Sequence, residues 1–462
     1  MKNRQSSQKK NTAAIVLLIL AMGLIAVGAY LYTSPSFERE APLIQAPEKI
    51  VWNRKAPIQI GLLDNEGLKS YTLTLNDGHN DIILGQEVLE TKVKEKKLEV
   101  FYPKDKTLDP KAKHLTLKVD VQDSSLWHLG QGNKSDKTID IDIDVKRPDV
   151  NIVANSYSIT QGGSALVIFQ AEDENLASLY VEVGKEKFKP QPYLKEGYYA
   201  TLIAWPFQEN EFKAKVVATD SANNTQQVDI PFYLISHTYD VSWIEAKDKF
   251  IDGKITDLIE NNPEYAESED KLEKLRAVNE TMRLKNEAVI HSLSKEISSA
   301  MLKSWKIQQF YPLRNGQKVA SFGDERHYYY QDKGNEVSHS FHVGYDLAST
   351  KMAGIQTSNA GKVVFVGDNG IYGNMPMIDH GFGLFSLYGH CSSVTVALGD
   401  EVNAGDVIAK TGMSGLALGD HLHFGILVQG IEVRPIEWFD KEWIRKSIDN
   451  VFEEAKKIIN GQ

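Results

Sequence analysis

A chain of 462 residues with 42% hydrophobic and 25% charged side chains is long enough to build several domains with real cores. Its net charge of −10, with no basic patch interleaved with aromatics, argues against a nucleic-acid partner. A single cysteine excludes an intrachain disulfide. In chain order, residues 1–11 carry Lys2, Arg4, Lys9 and Lys10 ahead of an almost unbroken apolar run over 12–32. That run is about long enough to cross a ~30 Å hydrocarbon core. No basic cluster follows it directly, so the positive-inside rule predicts a cytoplasmic tail over 1–11, a transmembrane anchor over 12–32 and everything past Ser34 facing outward. A cleaved signal peptide is the rival. The long apolar stretch and the bulky Tyr30, Leu31 and Tyr32 beside Ala29 favour an uncleaved anchor.

Past a linker over 33–46, the chain alternates apolar and polar residues in short runs such as 115–121, 139–145 and 212–219, separated by Asp, Asn, Gly and Lys turns. Two halves echo one another: the segment from Asp64 to Tyr71 resembles that from Asp173 to Tyr180, and each half ends in Asp-Ser, at Asp123-Ser124 and Asp220-Ser221. The expectation is two tandem β-sandwich domains of immunoglobulin-like type, over 47–148 and 149–236, serving as glycan- or partner-binding modules or as spacers. Residues 237–308 read as a helical segment. Pro263 separates a first amphipathic helix from a longer one, with Leu272, Leu275, Met282, Val289, Leu293 and Ile297 at helical spacing and Asn279 and Asn286 interrupting the stripe. The stripe needs a partner: the first helix, the following domain, or another copy. A last helix over 441–462 carries Ile444, Ile448, Val451, Phe452, Ala455 and Ile459 on one face, expected to dock on its own domain.

The chemistry lies between these helical stretches, in His342-Val-Gly-Tyr-Asp346, Tyr388-Gly-His390 and His421-Leu-His423. Alternate residues of a strand point the same way, so His421 and His423 can converge from one rigid element. His342 and Asp346 bracket Gly344, where backbone can turn or approach a bound group closely. His342, Asp346 and His423 supply three ligands and leave a fourth tetrahedral position open, as a catalytic zinc requires. No HExxH glutamate is present to act as base.

Residues 310–439 resemble the zinc peptidoglycan endopeptidases of the lysostaphin and LytM type. The similarity takes in Ser321-Phe322-Gly323 with Arg326, Ile378-Asp379-His380-Gly381, Leu387-Tyr388-Gly389-His390, Gly399-Asp400 with Val402 and Gly405, Thr411-Gly412 and His421-Leu422-His423-Phe424, in the family's order. The resemblance implies a mostly antiparallel β catalytic domain over 309–440, with His342, Asp346 and His423 as ligands of one Zn2+ and His390 and His421 as the catalytic histidines. Two departures are Gly425, where an acidic residue is common, and Cys391, where an aliphatic one is usual. Cys391 is expected to be a buried small hydrophobe, His380 structural, and His339 exposed or cleft-lining rather than a competing ligand.

The whole reads as a single-pass, outward-facing bacterial envelope protein that hydrolyses amide bonds in peptidoglycan stem peptides or cross-bridges. The alternative is a catalytically silent wall-binding protein or an activator of another hydrolase. A regulatory partner could act at the helical segment, should that segment cover the cleft.

Overall fold

The computed structural model describes residues 2–104, 108–265 and 268–461, and of residues 2–11 and 13 the backbone alone. Lys2, Arg4, Lys9 and Lys10, on which the expected membrane orientation rests, have side chains outside that description. The chain forms two compact units: residues up to Arg147 with Asp220–Asn224, and Pro148–Thr219 with Thr225 onward.

The first unit opens with a helix over Lys2–Thr33, whose Ala14–Thr33 stretch has a mean hydropathy of 2.7 and is long and apolar enough to cross a membrane. Pro35, which cannot continue an α-helix, follows directly. The strands after it differ from the two-sheet sandwich expected over 47–148, because all six join one hydrogen-bonded sheet. The cause is length. Ile58–Asn76 and Asp81–Val100 are 19 and 20 residues long and pair along nearly all of it, from Ile58 opposite Val100 to Asn76 opposite Asp81. The free edge of Ile58–Asn76 then serves two partners, Leu43–Gln45 near its start and His114–Asp123 along its second half. Alternation along these strands sends Leu62, Leu75, Leu117, Val119 and Ile139 into a fully buried core.

The second unit begins with two four-stranded sheets. One has the order Gln191–Pro192, Tyr198–Ala204, Ser164–Glu172, Asp149–Asn155, and the other Glu186–Phe188, Leu176–Val183, Ala214–Asp220, Thr225–Asp229. Their apolar residues belong to the same core as the strands that follow residue 310. Those later strands make an eight-stranded sheet in which Tyr345–Ala348, Leu422–Val428 and Leu384–Gly389 lie side by side, all antiparallel. A three-stranded sheet of Val241–Glu245, Asp324–Tyr330 and Asp332–His342 ends at the first site histidine.

The helical stretch is shorter and less regular than its spacing suggests. Lys271–Arg276 and Arg283–Ser294 are α-helical, but Ala277–Met282 is a π-turn. The extra residue per turn rotates the stripe, so Leu275, Val278, Met282 and Ile290 are buried while Val289 stays exposed. The partner is the following domain: the buried residues share a core with Met375, Met377, Phe385 and Leu387. The two asparagines that interrupt the stripe are part of the docking. Asn279 Nδ2 donates to Ser338 Oγ at 2.9 Å, and Asn286 Oδ1 accepts from the Ile371 amide at 2.9 Å. The final helix buries all six residues expected of it. It docks on its own domain through Phe382 and beyond it as well, since Phe452 also packs on Tyr193, and Ser156 Oγ donates to Ser447 O.

Candidate functional site

Strand register alone brings the two halves of the site together. In the antiparallel pair Tyr345–Ala348 and Leu422–Val428, Asp346 lies directly opposite His423, so both side chains leave the same face. On its other side His423 lies opposite Gly389, the residue before His390. Gly344 makes the fit possible: a Cβ there would stand 2.3 Å from His423 Cε1, so only a residue without one passes.

His342 Nε2, Asp346 Oδ1 and His423 Nδ1 form a buried triangle with edges of 3.0, 2.9 and 3.1 Å. His342 Nδ1–H donates to Ser321 O at 2.7 Å, which leaves Nε2 as a lone pair aimed into the triangle. Asp346 contributes only acceptors when ionised. Three electron-rich atoms this close, buried from water, repel one another unless a proton or a cation sits among them. Two imidazole nitrogens and one carboxylate are the donor set of a catalytic zinc. The residues fit the ion. His423 Nε2, the far ring nitrogen, is buried without a hydrogen-bond partner, another sign that this ring is held by its Nδ1 side.

The remaining pair flanks the triangle. His390 takes a left-handed φ of 64°, fixed by its amide donating to Tyr372 O, and its Nδ1–H donates to Ser414 O at 2.8 Å. His421 Nδ1–H donates to Gly419 O at 2.7 Å, and its Nε2 lies 3.5 Å from Asp346 Oδ2. The two rings stand 4.8 Å apart, each with Nε2 left to accept a proton. Their surroundings separate them. Burial, with His423 and His421 nearby, pushes His390 well below the usual imidazole range, whereas burial of His421 is outweighed by the Asp346 carboxylate, which raises it. Burial pulls His423 down to about 4, and Asp346 stays well below its usual range because the surrounding imidazoles overcome the burial that would raise it.

All five residues line one cavity of about 880 Å³. Its other walls include Ile244, Phe250, Lys254 and Arg283, so the segment expected over 237–308 borders the cleft, as one of its expected dispositions had it. Nothing in the sequence ties these particular residues to the cleft. Tyr372 is also outside the motifs; it is buried, with its ring edge-on to His423 at 5.3 Å, and burial raises its phenol well above the usual range. Its signal in the sequence is the pair of glycines around it, Gly370 and Gly373, both at positive φ. His380 is buried, its Nδ1–H donating to Ala360 O at 2.8 Å and its Nε2 2.7 Å from Ser386 Oγ, and burial pushes it down to about 4, a structural role. Cys391 is a buried thiol pushed up to about 12 by burial. His339 does not line the cleft. Gly425 is glycine for space, since a Cβ would stand 2.8 Å from Leu387 Cγ.

Residues 340–435 match the model of peptidase family M23, a stretch that begins two residues before His342 and ends twelve after His423. The chain carries a peptidase family M23 domain. The M23 domain is 37% identical over 95 residues to the DD-carboxypeptidase/endopeptidase Mpg of Neisseria meningitidis, a match covering 21% of this chain and 22% of that protein. It is 34% identical over 95 residues to the peptidoglycan DD-endopeptidase ShyA of Vibrio cholerae, covering 21% of each. The murein hydrolase activator NlpD of Salmonella dublin is 30% identical over 147 residues, 31% of this chain and 34% of that one. The similarity thus spans a fifth to a third of these relatives' lengths.

Proposed function

We propose that the protein is a zinc peptidase of bacterial peptidoglycan, hydrolysing amide bonds in stem peptides or cross-bridges. The observation that carries this is the buried triangle of His342, Asp346 and His423, opening with His390 and His421 on one cavity inside the M23 domain. His342, Asp346 and His423 would hold the ion. Bound there, zinc supplies Lewis-acid polarisation of an amide carbonyl and a source of hydroxide near neutral pH. The Ser414 and Gly419 carbonyls fix His390 and His421 in the tautomer whose Nε2 is free, so these rings take up a proton and return it to the leaving amine. Peptidoglycan as substrate is supported by the likeness to ShyA, a peptidoglycan DD-endopeptidase. The apolar N-terminal helix supports an anchored protein with the M23 domain outside the cytoplasm, and residues 47–148 and 149–236 are proposed as two β modules, the second an immunoglobulin-like sandwich, between anchor and helical segment.

The second reading, an activator of another wall hydrolase without activity of its own, is favoured by the likeness to NlpD. One experiment separates them. Purified cell wall is incubated with the full-length, zinc-loaded protein and released muropeptides are identified by mass spectrometry, alongside variants analysed for zinc. His342→Ala, Asp346→Ala and His423→Ala should lose zinc and activity together. His390→Ala and His421→Ala should keep zinc and lose about 10²-fold or more in rate. Full zinc with no muropeptide release by the wild-type protein decides for the activator.

A further inference from the structure

A second histidine cluster lies outside the cleft. Trp243, His327 and His339 sit abreast on the three strands Val241–Glu245, Asp324–Tyr330 and Asp332–His342, each the register partner of the next. Glu325, two residues before His327, leaves the same face. His339 is three residues before His342 on one strand, an odd offset, so the two imidazoles leave opposite faces and cannot serve one ion.

We propose that Glu325, His327 and His339 form a second site for a zinc-class divalent metal ion. His339 Nε2 lies 3.0 Å from Glu325 Oε1 and His327 Nε2 3.6 Å from the same oxygen, and all three donor atoms fall within 4.8 Å of one another. The back of His327 is already prepared: its Nδ1 is 2.8 Å from Glu336 Oε1, the carboxylate-on-histidine arrangement that fixes the tautomer and makes the other nitrogen a ligand. With Nδ1–H given to Glu336, His327 Nε2 turns a lone pair toward the Glu325 carboxylate, an opposition that a cation resolves. Both rings are held in place. Trp243 stacks on His327 at 4.6 Å with 15° between planes, and Phe341 meets His339 edge-on at 5.0 Å. The side chains of His339 and Glu325 keep 39% and 37% of their exposure, so an ion and a completing water can reach them. Two imidazoles and a carboxylate select Zn2+, Co2+ or Ni2+ over Ca2+ and Mg2+, which prefer all-oxygen shells.

The proposal is independent of the peptidase reading and is tested without activity. Full-length protein, stripped with chelator and re-equilibrated with buffered Zn2+, should hold two zinc ions per chain by elemental analysis. His339→Gln, a substitution at a half-exposed side chain, should hold one, and Glu336→Gln should weaken the second ion 10–100-fold. In the His342→Ala background, Co2+ should still bind once, with visible absorption bands that vanish on adding His327→Ala. A zinc content, whether one ion or two, that stays at the wild-type value in both His339→Gln and His327→Ala overturns the proposal, leaving the cluster an ion-paired His–Glu network. The proposal fails equally if His342→Ala binds no Co2+ while its circular dichroism is unchanged.

Discussion

Gly344 is where the triangle is most sensitive to a single added atom. Its Cβ would overlap His423 Cε1 and Nε2, at 2.3 and 2.4 Å, and Tyr372 stands behind that ring, so the imidazole has little room to retreat. Gly344→Ala is therefore expected to displace His423 Nδ1 and drop bound zinc well below that of wild type at equal free zinc, with the fold retained by circular dichroism. Undiminished zinc would mean that the ring yields and the triangle is softer than its register suggests. A second residue acts through pH. Glu437 is buried and accepts from the Ser164 amide at 3.1 Å, yet burial raises its carboxyl to about 7 against a usual 4.5. A folded value above the unfolded one means that the folded state binds the extra proton, so the contribution of this carboxyl to stability is fully present below pH 4.5 and is lost as pH rises through 7. The loss approaches about 3 kcal/mol for a shift of this size. Glu437→Gln, which keeps an acceptor without the charge, should raise the melting temperature more at pH 8 than at pH 5. An equal shift at both would place the carboxyl in its ordinary range.

Among the elements, the docked helices show what spacing conveys and what it omits. Leu275 and Met282 are legible as core because they recur at helical intervals; Val289 recurs in the same way and stays exposed because the π-turn at 277–282 rotates the face, and no residue there announces one. Asn279 looks like an interruption in the sequence and is instead a connector, bonded to Ser338 and accepting from Ser340 Oγ at 3.2 Å and Arg283 at 3.0 Å. Asn279→Ala leaves those partners unmet in a buried place and should cost about 1–3 kcal/mol. The urea midpoint should fall accordingly, with faster proteolysis around 268–294; an unchanged midpoint would mean water replaces the amide. The site histidines are legible for a different reason: ligands must be particular residue types at particular strand offsets, and these survive in the sequence as HxH and HxxxD. The six-stranded sheet of the first unit is not, since alternation fixes which face a strand buries but says nothing of which strands share an edge.

At the scale of the second unit, the cleft is bounded by chain that precedes the M23 domain by some ninety residues, and this bears on regulation. Ile244, Phe250 and Lys254 form one wall of the cavity, and Lys254 Nζ donates across it to Met413 O at 2.6 Å. The helices that follow are fastened by a shared core, with Leu275, Val278 and Met282 against Met375 and Leu387. Deleting the whole segment would therefore strip the domain's core, and loss of activity would say nothing about gating. The Lys254 end of the stretch 244–254 is the mobile candidate. Ile244 and Glu245 pair with Tyr328 and Tyr329, and Ala246 and Ile251 belong to the shared core, whereas the link across the cavity is one hydrogen bond from the half-buried Lys254 ammonium. A closed and an open form differing by that bond would differ by about 1 kcal/mol once solvent screening is allowed for, enough to shift their ratio several-fold and at most about tenfold. Lys254→Ala should accordingly hydrolyse purified wall several-fold faster than wild type at equal zinc loading, with kcat/KM rising and the melting temperature nearly unchanged. Equal rates would make this wall a fixed part of the substrate cleft. A slower variant would assign the ammonium to substrate binding, the reverse of a gate, and would fit a cavity that also presents Arg283 to a peptide rich in carboxylates.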